Sequence, residues 1–135
     1  MVKGTFSDGF KIKLFPQKLN HQDLTQLSFD TNKFKFILSF DCFEHIPNYQ
    51  DALRETYRVL KTGGTLLLSV PFNLNANKTL VRASINTNGS TVFHVEPEYH
   101  GNPMSKKGSL SFYSFGWELL DVLKELGFKE VNAII

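Results

Sequence analysis

The chain has a single cysteine, Cys42, so it cannot form an internal disulfide, which agrees with a reducing compartment. No apolar run approaches the roughly 20 residues needed to cross a bilayer, and the opening residues MVKGTFSDGF lack the apolar centre of a signal peptide. A cytoplasmic protein with no membrane partner is therefore expected. Charge of one sign is also lacking: 15 Lys and Arg face 13 Asp and Glu, a net +2, and the basic residues are scattered. Such a chain has no electrostatic footprint for nucleic acid. The 9 glycines form no Gly-x-Gly turn, since Gly4 and Gly9 stand alone and the others follow residue 62. That absence argues against a nicotinamide dinucleotide site, whose fingerprint is Gly-x-Gly-x-x-Gly.

What is present is a foldable core. Hydrophobic residues make up 41% of 135 residues, 13 of them phenylalanine, which suits one domain. Phe10 to Phe15 alternates apolar and basic residues and suggests a short edge strand ended by Pro16. The run 34–40, FKFILSF, is nearly all apolar, as expected of a parallel strand covered on both faces by helices. Asn48 is placed to cap a helix over 49–61 whose apolar stripe is Leu53, Tyr57 and Leu60. Gly63-Gly64 is expected to close that helix, and a second buried strand is expected at 65–70, before Pro71. Strand, helix and strand form one βαβ unit with the strands adjacent and parallel.

Residues 73–113 lose periodicity, apart from a faint amphipathic signal over Lys78 to Ile85, and read as a long functional or disordered loop. Ser114 is expected to cap a last helix with Trp117, Leu120, Leu123 and Leu126 as its stripe and Gly127 as its stop, before a strand beginning at Phe128. No repeat or linker divides the chain, so residues 1–135 are read as one domain.

The residues FKFILSFDCFEHIPNYQDALRETYRVLKTGGTLLLSVPF carry more than a pattern. An acidic residue before Glu-His-Ile-Pro, followed by Arg-Val-Leu-Lys-x-Gly-Gly, resembles the second half of the S-adenosylmethionine-dependent class I (type 11) methyltransferase domain, around its fourth and fifth strands. The resemblance covers approximately residues 20 to 135, with Lys35 and Thr62 departing from the customary acidic residue and proline. It implies an α/β, Rossmann-like fold: a partial parallel sheet flanked by helices, without the family's Gly-rich first motif. It further implies S-adenosylmethionine as cofactor, with Asp23 and Leu24 at the adenine and Ser39, Phe40 and Asp41 near the methionine end. The residue types suit this, since a carboxylate accepts from an exocyclic amine. In the alternative, Asp23 only caps a turn and Asp41 only the helix entry.

His45 is the candidate catalytic base for an unknown methyl acceptor, small molecule or otherwise, because imidazole titrates near neutrality. The competing role is to hold the strand-to-helix turn, and Glu44 beside it reads as structural. Cys42 reads as inert and Trp117 as core. His94, Glu96, Glu98 and His100 resemble a metal cluster at first glance, but Pro97 interrupts HVEPEYH and no helical His spacing exists, so no metal site is expected. The segment Tyr99 to Leu110 resembles a loop that a subset of these methyltransferases places near the substrate entrance; in the alternative it is a solvated excursion. With the first motif missing, the chain alone is expected to bind the cofactor weakly or not at all. It is either part of a methyltransferase or a non-catalytic methyltransferase-like module, with a partner subunit or a second copy covering the incomplete sheet.

Overall fold

The computed structural model describes residues 21–102 and 105–134. The strand expected at Phe10–Phe15 lies outside the described residues. β1 (Phe34–Phe40) leads through a single 3-10 turn (Phe43–His45) into α1 (Tyr49–Val59), which returns directly into β2 (Leu60–Ser69). β1 and β2 pair in parallel, with Ile37 beside Leu66, Leu38 beside Leu67 and Ser39 beside Leu68. This is the βαβ unit expected from the sequence, and it places the carboxyl ends of both strands on one rim.

α1 buries Tyr49, Ala52, Leu53, Thr56 and Val59, residues that recur at helical spacing on one face. Tyr57, expected in that stripe, is 40% exposed. It packs instead edge-on against Phe128, ring centroids 5.0 Å apart. Asn48 is the N-cap residue, but its side chain makes no capping hydrogen bond. Nor does Gly63-Gly64 end the helix. Leu60 is already extended, and Gly63, at φ 72, lies at an irregularity inside β2 where the register slips between Phe34 and Phe36.

Among the described residues, only one face of the β1–β2 sheet is covered. Leu66, Leu68 and Val70 pack on a core of Phe43, Tyr49, Ala52, Leu53, Phe115, Leu119 and Leu123, formed by α1 and by α2 (Glu118–Leu126). On the other face Phe36, Leu38, Phe40 and Leu67 are exposed. The continuous apolar run of β1 was expected to mean two covered faces; the second cover is not among the described residues.

Residues 73–113 are a correction. They form short antiparallel ribbons rather than a structureless loop: β4 (Ala83–Ile85) pairs with β5 (Thr91–Phe93), and β6 (Tyr99–Asn102) with β7 (Ser105–Leu110). β3 (Leu80–Val81), where the faint amphipathic signal lay, pairs with β8 (Tyr113–Ser114). Each ribbon is only a few residues long, too short for alternation to show against many polar residues.

α2 differs from expectation at its start and agrees at its end. Trp117, not Ser114, is the N-cap residue, and Leu119 rather than Leu120 is buried. Trp117 is half-buried, its ring edge-on to Phe72 and its indole N–H donating to the Leu74 carbonyl at 2.9 Å. Gly127 closes the helix at φ 111, and residues 128–134 continue without strand pairing. A Cβ at Gly127 would force a side chain into this left-handed region and sit 2.5 Å from the Tyr57 hydroxyl. Gly127→Ala is therefore expected to lower stability by about 1–2 kcal/mol, read as a drop in the urea midpoint at unchanged slope.

Candidate functional site

The rim where β1 and β2 end is built around Asp41. Its φ of 47 is left-handed, a conformation that costs most residues free energy but that aspartate tolerates. Two acceptors on Ser69 hold it there: the Asp41 N–H donates to the Ser69 carbonyl at 3.1 Å and to its hydroxyl at 3.2 Å. The Ser69 hydroxyl in turn donates to the Asp41 carboxylate at 2.9 Å. The next strand thus fixes the direction in which the chain leaves β1. Ser69 was missed by sequence reasoning, which had no means of pairing it with Asp41 before the register was known.

Ser39 and Phe40 lie on β1 immediately before this turn, Ser39 half-buried and Phe40 on the exposed face. The Cys42 thiol is half-buried, and burial pushes its pKa up, which disfavours the thiolate.

Asp23 lies in a separate turn. Its carboxylate accepts from the Thr25 hydroxyl at 2.7 Å and the Thr25 N–H at 2.8 Å, and these bonds, the hydroxyl first, hold its pKa below the ordinary carboxylate range. That is an Asx-type turn. The carboxylate is exposed and keeps acceptor capacity beyond these two bonds. Leu24 packs against the central core, so the backbone next to Asp23 is anchored.

The 3-10 turn after Cys42 presents Glu44 and His45 to the β6–β7 ribbon. The Phe112 N–H donates to the Glu44 carbonyl at 2.7 Å, and the His45 Nδ1 bonds to the Leu110 carbonyl at 2.7 Å. Ribbon register sets His100 opposite Ser109, so the same strand pair that grips His45 brings His100 beside it, rings 5.1 Å apart and edge-on. The Glu44 side chain is completely buried between them, with Oε1 3.7 Å from His45 Nε2 and 3.5 Å from His100 Nδ1. Among the described residues neither Glu44 oxygen has a hydrogen-bond partner.

On the outer side of the cluster, His100 Nε2 meets Glu98 at 3.0 Å and Arg82 meets the other Glu98 oxygen at 3.0 Å. The His100 bond is the largest influence on the Glu98 pKa and, with a smaller contribution from the Arg82 charge, holds it below its ordinary value against the opposing effect of burial. His94 is elsewhere, its Nε2 2.9 Å from the Ser84 hydroxyl. The segment HVEPEYH is therefore split: His94 faces its own hairpin, and His100 turns toward Glu44. Sequence reasoning treated Glu44 as structural and weighed His100 only with its near neighbours, because nothing in the sequence signals a contact between residues so far apart.

An apolar groove of about 560 Å³ is bordered by β2, α2, Phe128 and residues 130–134; of the sequence-expected site residues Phe40 lines it, and Asp23, Leu24, Ser39, Asp41 and His45 do not. Among the described residues no helix is long and apolar enough to cross a membrane.

Part of the chain is similar to known methyltransferases. Residues 6–68 match the family model described as a methyltransferase domain, a span that includes Asp23, Leu24, Ser39, Phe40, Asp41 and His45. Over 53 residues the chain is 32% identical to phosphoethanolamine N-methyltransferase 2 of Caenorhabditis elegans, a stretch of 39% of this chain and 12% of that protein. Over 50 residues it is 38% identical to demethylmenaquinone methyltransferase of Staphylococcus epidermidis, covering 37% of this chain and 21% of that one. An S-adenosylmethionine-dependent methyltransferase from Mesorhizobium loti superposes with a TM-score of 0.49 at 16% identity, over 78% of this chain and 50% of its own. The chain matches only a minor part of the length of these curated relatives.

Proposed function

We propose that this chain forms part of an S-adenosylmethionine-dependent methyltransferase, in which the rim of the β1–β2 unit receives the methionine end of the cofactor. The observation that carries the reading is Asp41: an exposed carboxylate on a left-handed turn, held by Ser69 at the carboxyl ends of two parallel strands. Ligands of open α/β sheets bind at such a rim. A sulfonium cation is favoured beside a carboxylate, and Asp23 with Leu24 would supply the adenine contacts, the carboxylate accepting from the exocyclic amine. Methyl transfer is an in-line displacement in which the sulfonium leaves as a neutral thioether, so positioning supplies much of the catalysis. His45 is left out of the proton transfer, because its Nε2 is turned toward Glu44 and its Nδ1 is engaged by Leu110. The acceptor is unassigned.

A second reading has its own observation. The face of Phe36, Leu38, Phe40 and Leu67, which no described residue covers, suits a methyltransferase-like module docked on a partner subunit or a second copy. Nuclear magnetic resonance separates the two at cofactor concentrations where weak binding is still visible. Titration with S-adenosylmethionine and S-adenosylhomocysteine is expected to shift the backbone amides of Leu24, Ser39, Phe40 and Asp41. Asp23→Ala should abolish the shift at Leu24 while those at 39–41 persist. Absence of shifts at the rim at millimolar ligand, or shifts confined to the groove beside α2, would remove the cofactor-site reading and leave the module.

A further inference from the structure

The geometry points to a divalent-metal site formed by Glu44, His45 and His100, taking zinc or a similar first-row cation. The inference does not rest on the methyl-transfer reading. Its first support is proximity: among the described residues these three offer one ligand atom each, all within 4.8 Å of one another. Tetrahedral zinc with bonds of about 2.0–2.1 Å holds its ligand atoms about 3.3–3.4 Å apart. The separations of 3.5 and 3.7 Å from Glu44 Oε1 to the two imidazole nitrogens need only a small contraction.

The second support is the direction of the lone pairs. The Leu110 carbonyl can only accept, so the His45 Nδ1 2.7 Å away carries the hydrogen, and in neutral imidazole the lone pair is then on Nε2. A Glu98 carboxylate likewise only accepts, so His100 Nε2 donates to it at 3.0 Å and Nδ1 carries the lone pair. Both lone pairs thus face the Glu44 carboxylate. Three electron-pair donors converge with no hydrogen between them, an arrangement that is repulsive until a cation enters. Holding the distal N–H of each ligating imidazole on a carbonyl or a carboxylate is also the arrangement by which proteins orient metal-binding histidines.

The third support is Glu44 itself. Its side chain is completely buried and, among the described residues, both oxygens lack hydrogen bonds. A buried carboxylate is costly unless it is paired or coordinates a metal. Two imidazoles and one carboxylate leave a fourth position for water or another oxygen ligand, a donor set suited to zinc, cobalt or iron rather than to magnesium or calcium. The half-exposed histidine side of the cluster gives the ion a way in.

Chelator-treated protein titrated calorimetrically with zinc tests the site. One equivalent should bind, and cobalt should give the intense visible absorption of tetrahedral coordination. In the unmutated chain, zinc should shift the ring resonances of His45 Nε2 and His100 Nδ1 and leave those of His94 in place, a readout that needs no variant to fold. Glu44→Gln and His100→Ala, with circular dichroism unchanged, should each weaken binding by more than about tenfold, whereas His94→Ala should not. Two protonated imidazoles around Glu44 would balance the charge equally well, and zinc would then fail to bind. That failure overturns the assignment, as does binding that survives Glu44→Gln and His100→Ala or is lost equally with His94→Ala.

Discussion

Phe115→Ala is expected to cost about 3–5 kcal/mol, enough to leave much of the population unfolded at ambient temperature. Phe115 is 0% exposed and joins every part of the described core. It stacks with Tyr113 at 5.8 Å and meets Tyr49 of α1 edge-on at 5.1 Å, and its backbone N–H donates to the Pro71 carbonyl just after β2. The core cluster it belongs to draws on the 3-10 turn, α1 and α2, with β2 and Tyr113 packed against it, so no single element can move in to fill the space. A cavity term therefore adds to the lost transfer free energy. Phe93→Ala removes the same side chain from a residue that is 47% exposed on β5, and should cost only about 0.5 kcal/mol. Urea denaturation of the two variants compares them directly. Equal losses would show that the core is centred elsewhere than at Phe115.

The βαβ unit was legible because its signals are local and mutually consistent. An apolar run, a helix with one apolar face and a Gly-Gly before a second run leave few arrangements, and the parallel pairing of β1 with β2 is the one adopted. Details within it were not. Helical periodicity shows that a stripe exists but not its centre, so Tyr57 was placed in the core when Ala52 and Thr56 complete the buried face instead. The ribbons over residues 80–114 were missed because strands of two to six residues with Gly, Ser and Lys between apolar positions carry almost no period. Their pairing rests on contacts remote in sequence, such as Phe112 to Glu44.

The candidate site divides in the same way. Asp41 and His45 were visible because they directly follow a strand that could be recognised. Ser69 and His100 were not, since each reaches the site only through a register that the fold decides. The turn chemistry of Asp23 was legible as one of two readings, and its bonds to Thr25 are those of the turn.

The segment that carries Asp23 should lose its place when Arg58 is replaced by methionine, which keeps the aliphatic stem and removes the guanidinium. Arg58 Nη1 donates to the Phe29 carbonyl at 2.9 Å and Nη2 to the Leu27 carbonyl at 3.0 Å. Glu55, one turn earlier on α1, is held by Arg58 at 2.7 and 2.8 Å and accepts the Leu27 N–H at 2.9 Å. One bidentate ion pair thus ties both the donor and the acceptor of Leu27, and the carbonyl of Phe29, to the helix. A lysine could supply the charge but not the planar fork that serves both Glu55 oxygens and the carbonyls of Leu27 and Phe29 at once. In Arg58→Met the Leu27 amide should exchange with solvent at the rate of unstructured chain, while amides within α1 keep their protection. The cofactor-induced shift at Leu24 should vanish with it, and those at Ser39 to Asp41 should remain. Acid should act on the same anchor. The Glu55 pKa lies below its ordinary value of 4.5, chiefly through the Arg58 hydrogen bond. A carboxylate with a depressed folded pKa stabilises the fold fully above its unfolded value, and that contribution is lost as pH falls through the lowered one. Protection of Leu27 should accordingly be constant from neutrality down to about pH 5 and decline below pH 4.5, and this decline should be absent in Arg58→Met. Unchanged exchange at Leu27 in the variant would mean that the packing of Leu24 alone holds the segment.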